Sequence, residues 1–251
     1  MPDELAEPNP PLATPSGEAQ TATPLGDDSG RRGTEHGLRE RAGAGGADSR
    51  DPHPDRATRF VETTRGILSY TELAPLLAAR VAAAEADLYR EAFAVRPLDE
   101  SFLLDLHARI CGDLVPEWAG RWRAIEVRVG NLQPPLPHEV PLRMHDYALD
   151  LQARWPDATA SLSDLTLELL AFIEGRFLTI HPFSDFNGRT IRLFLREILR
   201  RMDFPRVILE PDTDAGRASY FAALEAADRG DYRPLADIWH DRLSQVETPD
   251  V

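Results

Sequence analysis

The sequence has no lysine; all 28 of its basic residues are arginine. That removes the lysine of phosphate-binding loops, a Schiff-base lysine and the strand lysine of kinases. If phosphates are bound, arginines and backbone amides must hold them. Cysteine occurs once, at Cys111. A lone thiol excludes an intramolecular disulfide and a cysteine-built zinc site, and it suits a reducing compartment. No apolar run reaches the ~18 residues needed to span a bilayer. The start, MPDELAEPNPPL, lacks the basic head and apolar core of a secretory leader. We therefore expect no membrane partner and a cytoplasmic location. Acidic residues outnumber basic ones by 42 to 28, for a net charge of −14. Such a chain repels phosphate backbones at long range, so no nucleic-acid partner is expected. An anionic ligand would need a local basic pocket.

Hydrophobic residues make up 42% of the 251 residues, unevenly spread. Residues 1–57 are rich in Pro, Gly, Ala, Asp and Arg and poor in large apolar side chains. Burial there cannot offset the entropy of ordering, so a disordered tail is expected. An N-terminal helical segment (58–95) and a core domain (96–245) follow. Ser69 or Thr71 can cap a helix running to about Phe93, and Asp99 or Ser101 starts the next, which Pro116 ends. Helical spacing then predicts helices over 141–155, from Ser161 or Ser163 to Phe177, from Gly188 to Met202, over 214–228 and over 231–244. Ile125, Val127 and Val129 alternate with Glu126 and Arg128 ahead of Gly130-Asn131 and Pro134-Pro135, the one strand-and-turn signal in the chain. The expected fold class is all-α with one small hairpin.

The most informative stretch is HPFSDFNGRTIR, residues 181–192. It joins two strongly apolar helices, so its polar residues sit where a core would otherwise continue. Asn187-Gly188 permits a tight turn. The helix beyond offers unpaired amides and a positive dipole end, an anion site. Arg189, Arg192 and Arg196 share one face of that helix. Cations near a helix N-terminus oppose its dipole, a placement that a bound phosphate would explain. His181 is then a candidate base, and Asp185 could hold Mg²⁺ between phosphate oxygens. On spacing alone the bland readings stand beside these: His181 as a loop or capping residue, Asp185 as a turn former, the arginines as a solvated face.

HPFSDFNGRTIR resembles the signature loop of the Fic (Fido) family, HxFx[D/E]GNGRxxR, at His181, Phe183, Asp185, Asn187, Gly188, Arg189 and Arg192. Looser likenesses follow the family's order: Leu106-His107, then Ala119 to Arg123, then Val127 to Gly130 with Pro134-Pro135. The resemblance implies a protein adenylyltransferase that moves AMP from ATP onto a hydroxyl of a target protein. It gives His181 the proton of the target hydroxyl and Asp185 the Mg²⁺. Asn187, Gly188, Arg189 and Arg192 would cradle the phosphates. The hairpin 125–135 would dock the target protein by strand addition.

One residue departs from the pattern: Phe186 stands at the first loop glycine. That keeps transfer of UMP, phosphocholine or phosphate open beside AMP, as well as a non-catalytic nucleotide- or protein-binding role. The family's inhibitory helix has no good copy; Glu62 and Glu85 are the nearest candidates for its glutamate, and the alternatives are an unrestrained enzyme or an antitoxin-like inhibitor. Delivery into another cell as an effector is the alternative to action in the cell of origin.

Overall fold

The structure, a computed structural model, describes residues 59–90, 96–157 and 162–245. The expected tail (1–57), Phe93 and Ser161 lie outside them. Seven α-helices and one two-stranded antiparallel hairpin make up the described fold, as the expected class requires. The hairpin, however, is elsewhere. It pairs β1 (Phe60–Thr63) with β2 (Gly66–Ser69), Phe60 opposite Ser69 and Thr63 opposite Gly66. Its turn residues, Thr64-Arg65, carry none of the Asn-Gly or Asp-Gly chemistry that marks such turns in a sequence. Tertiary anchoring compensates: the Thr64 amide donates to Leu114 O (2.8 Å) and its hydroxyl to Asp113 O (2.7 Å).

Residues 125–135 instead form an irregular loop closed by a single bridge between Val129 and Leu132. The Gly130-Asn131 turn is there, but Pro134 and Pro135 bring no amide hydrogen with which to extend a ladder. The N-terminal segment is thus a hairpin followed by a helix rather than helix alone.

That helix, α1 (Tyr70–Leu88), starts with a reciprocal cap: Ser69 accepts from the Glu72 amide while Glu72 accepts from Ser69. It stops five residues before Phe93, the expected end. Asp99 caps α2 (Glu100–Cys111) through the Phe102 amide. α3 (Val140–Arg154) follows, then α4 (Asp164–Ile180), which Ser163 caps through the Thr166 amide. α5 (Asn187–Arg201), α6 (Asp214–Asp228) and α7 (Arg233–Ser244) complete the order.

α4 is the central element. It buries side chains on all sides, from Leu167 through Phe172, Ile173 and Phe177 to Ile180, and packs against α3, α5, α6 and α7. From Leu169 to Ile180 nearly every face of the helix is buried, so its neighbours enclose it. α1 and α2 cover α5 from the other side. The α4–α5 connection is therefore held between packed helices. No helix among the described residues is long and apolar enough to cross a membrane.

Gly175 marks the tightest approach to α4. A Cβ there would lie 2.8 Å from the Ala227 Cβ and 3.0 Å from the Tyr232 ring. Overpacking a core costs about 1–3 kcal/mol, whereas Gly→Ala in a helix gains roughly 1 kcal/mol. The close neighbours include a Cβ that cannot rotate away, so the steric term wins. We expect Gly175→Ala to lower the unfolding free energy by about 1–2 kcal/mol in urea titrations, instead of raising it as helix propensity alone would.

Candidate active site

The loop between α4 and α5 turns on two residues with left-handed backbone. His181 ends α4 at φ 50° and Phe186 precedes α5 at φ 58°. Neither is glycine, and each such residue costs about 1–2 kcal/mol. The loop is over-determined elsewhere. The Asn187 side chain accepts from the Phe183 amide (2.9 Å) and donates to the Phe183 carbonyl (2.9 Å), closing the turn with both ends of one amide. The Phe183 ring stacks on His107 with centroids 3.8 Å apart. The Phe186 ring is 2% exposed and packs with Trp118 (5.6 Å) and Tyr70 (6.3 Å). Its burial offsets the backbone strain, and a ring so buried takes no solvent space from a ligand.

His181 is itself 3% exposed. Its Nδ1 faces the Leu178 carbonyl at 3.4 Å. A carbonyl only accepts, so the neutral ring carries its proton on Nδ1 and keeps Nε2 as the basic nitrogen.

α5 opens at Asn187 with the expected cations over its first turns. A Cβ on Gly188 would lie 3.3 Å from Arg192 Nη1, so that guanidinium rests against the helix mouth. Arg192 also pairs with Glu210 at 2.7 Å. Burial lowers the pKa of Arg189, and the nearby Arg192 lowers it further. Among the described residues no carboxylate forms an ion pair with Arg189. Arg196, expected on the same face, turns instead to Glu85 on α1 (2.9 Å), which Arg206 also reaches (3.1 Å). Glu85 is thus committed away from Arg192, and Glu62 stands exposed on β1.

Asp185 is 4% exposed and fully engaged. Oδ2 accepts from Arg59 Nη2 at 2.8 Å; Oδ1 accepts from the Tyr70 hydroxyl and from the Phe186 amide (2.7 Å). Burial raises the carboxyl's pKa, and Arg59 and the two hydrogen bonds pull it back. Burial, then the Asp185 charge, raises the Tyr70 phenol's pKa and keeps it a donor.

Four residues shape this site without having been singled out for it: Arg59, Tyr70, His107 and Arg123. Arg123 is 3% exposed and has carbonyls as acceptors. Its Nε donates to His181 O (2.8 Å), Nη1 to Ile125 O (3.0 Å) and Nη2 to Pro135 O, while its amide donates to Pro182 O (2.9 Å). One guanidinium thereby fastens both ends of the 125–135 loop to the C-terminus of α4, where the dipole favours a cation. His107 accepts from the Gly120 amide at Nδ1 (2.9 Å), so its proton is on Nε2, which faces Asp185 O at 3.2 Å. His107 and Arg123 lay within stretches whose likeness to the family was visible. Nothing local marked Arg59 and Tyr70, because the hairpin that delivers them has no turn signature.

Three comparisons show which known proteins the chain resembles. Residues 97–199 match the Fic/DOC family. That segment of the chain is similar to Fic/DOC proteins. The chain is 37% identical over 133 residues to protein adenylyltransferase fic-1 of Caenorhabditis elegans, an alignment that covers 53% of this chain and 25% of that protein. The chain therefore spans about a quarter of that relative's length. The solved C. elegans Fic-1 structure (residues 134–508) superposes with a TM-score of 0.52 at 28% identity, covering 68% of this chain and 47% of that one. The Bartonella tribocorum effector BepC, solved with AMPPNP, superposes with a TM-score of 0.57 at 19% identity, covering 74% and 93%, and shares the fold.

The α4–α5 loop hangs on a neutral histidine, which gives a pH signature. Burial lowers the His107 pKa from 6.5 to about 4. Between those values the unfolded chain binds the extra proton, so this group's contribution to stability is whole above 6.5 and drains away as pH falls toward 4. We expect His107→Gln to lose stability at neutral pH and to flatten the fall in melting temperature between about pH 6.5 and 4. Parallel melting curves across that range check both effects; equal slopes would contradict the neutral-bridge assignment.

Proposed function

We propose that this Fic-like domain transfers AMP from ATP to a hydroxyl side chain of another protein, with His181 as general base. The observation that carries the reading is the loaded mouth of α5. Arg192 lies against Gly188, and Arg189 is half-buried without an ion-pair partner among the described residues. Cations so placed oppose the helix dipole unless an anion joins them. The adenylyltransferase name of the worm relative and the ATP analogue bound by BepC support a nucleotide as that anion.

In this scheme Asn187 shapes the cradle, and Gly188, Arg189 and Arg192 bind the phosphates. His181 Nε2 takes the proton from the target hydroxyl. The oxygen forms a bond to the α-phosphorus as the bond to the β-phosphate bridging oxygen breaks, and pyrophosphate leaves. Positioning and charge neutralisation carry such a transfer, and a general base contributes typically ~10²–10⁴-fold. Asp185 is the residue that would hold Mg²⁺, a hard ion suited to one carboxylate with phosphates and water completing its shell. That ion, when bound, neutralises phosphate charge. The 125–135 loop is the proposed dock for the target protein, since Arg123 fastens it beside His181. With neither Glu62 nor Glu85 at Arg192, a separate antitoxin-like partner remains the proposed restraint. The proposed site of action is a cytoplasm, that of the cell of origin or of a cell receiving the chain as an effector. The buried Phe186 ring favours no other donor over ATP.

With α-labelled ATP and cell lysate, the chain should label a protein or itself. His181→Ala should lower that transfer by ~10² or more while nucleotide affinity stays within about threefold. Arg192→Ala should instead weaken nucleotide binding by about tenfold or more. Label from γ-labelled ATP alone would replace AMP transfer with phosphorylation.

A further inference from the structure

Hairpin pairing delivers Arg59 and Tyr70 together. The Tyr70 amide donates to the Arg59 carbonyl (3.1 Å), continuing the β1–β2 ladder outward by one step. The Arg59 guanidinium lies 5.0 Å from the Tyr70 ring centroid, and both side chains end on the Asp185 carboxylate. That carboxylate is the loop's only acid and is almost wholly desolvated. A charge so buried needs a counter-cation, and the hairpin supplies one. Both oxygens are engaged, so a divalent ion fits Asp185 only with Arg59 withdrawn: two cations on one oxygen would repel strongly at such depth.

We propose that Arg59 and a divalent cation are alternative occupants of Asp185, so that the N-terminal hairpin competes with metal-nucleotide binding. The proposal rests on the nucleotide reading above. The guanidinium keeps the carboxylate charged and the loop shaped while the site is empty. An arriving metal-nucleotide must dislodge it, which weakens binding and ties occupancy of the site to the position of the hairpin. The far end of the hairpin stays fastened, since Thr64 bonds to Asp113 and Leu114. Release at Arg59 therefore requires only the near end to move. Arg59 is 22% exposed at its side chain, so the competing group is reachable from solvent.

The test uses the full chain as native protein, Arg59→Gln, Arg59→Lys and the double variant Arg59→Gln with Asp185→Asn. Mn²⁺ binding is followed by electron paramagnetic resonance of the free ion without nucleotide. AMPPNP binding is followed by calorimetry with EDTA and with Mn²⁺, and melting curves verify folding. Arg59→Gln should tighten Mn²⁺ binding by about tenfold or more and raise the Mn²⁺-dependent gain in AMPPNP affinity by a similar factor. Arg59→Lys keeps the charge and should stay near native, and the double variant should lose the gain. Mn²⁺ affinity in Arg59→Gln that equals or falls below native overturns the proposal. If AMPPNP binds no variant in either buffer, the nucleotide reading fails, and the Mn²⁺-only arm still decides the competition.

Discussion

The side-chain amide of Asn187 holds the site together. By accepting from the Phe183 amide and donating to the Phe183 carbonyl, it closes the loop between the two most buried helices and sets where α5 begins. Two non-glycine residues in left-handed conformation are tolerated because this clasp, the Phe183–His107 stack and the Phe186 aromatic pocket all demand the same turn. Loosening the clasp would free His181 and the α5 mouth together.

Around that turn the protein buries polar and charged side chains. Asp185, His107 and Arg123 are each nearly inaccessible, and each is satisfied by a different device: an arginine brought by the hairpin, a neutral imidazole bridging two backbone groups, and a guanidinium spread over carbonyls. The mouth of α5 is the exception. Its cations are balanced only in part, by the exposed Glu210. In a chain of net charge −14, this local excess of positive charge is where an anion is favoured.

The helices were legible because their apolar spacing and caps are local: Ser69, Asp99 and Ser163, each one of two candidates, cap their helices, and α6 spans the expected residues. The loop His181 to Arg192 was legible because its residue types are dictated by one turn and one helix mouth. The hairpin was not. Its four-residue strands and plain turn are stabilised by Leu114 and Asp113, distant in sequence. The stretch with the better strand pattern, 125–135, is tied down by Arg123 and cut short by its prolines. Arg196 had the spacing of a phosphate ligand, yet Glu85 on a neighbouring helix claims it. Such partnerships exist only once the helices are packed.

The central claim is that the α4–α5 loop and the mouth of α5 form the nucleotide's anion site. Amide hydrogen exchange with and without AMPPNP tests it most directly. The account predicts slowed exchange in the first turn of α5, from Asn187 to Thr190, with the loop back to His181 following. Protection confined to the separate groove of about 720 Å³ between α4 and the α6–α7 turn, lined by Glu168, Arg229, Tyr232 and His240, with none at the α5 mouth, would contradict it.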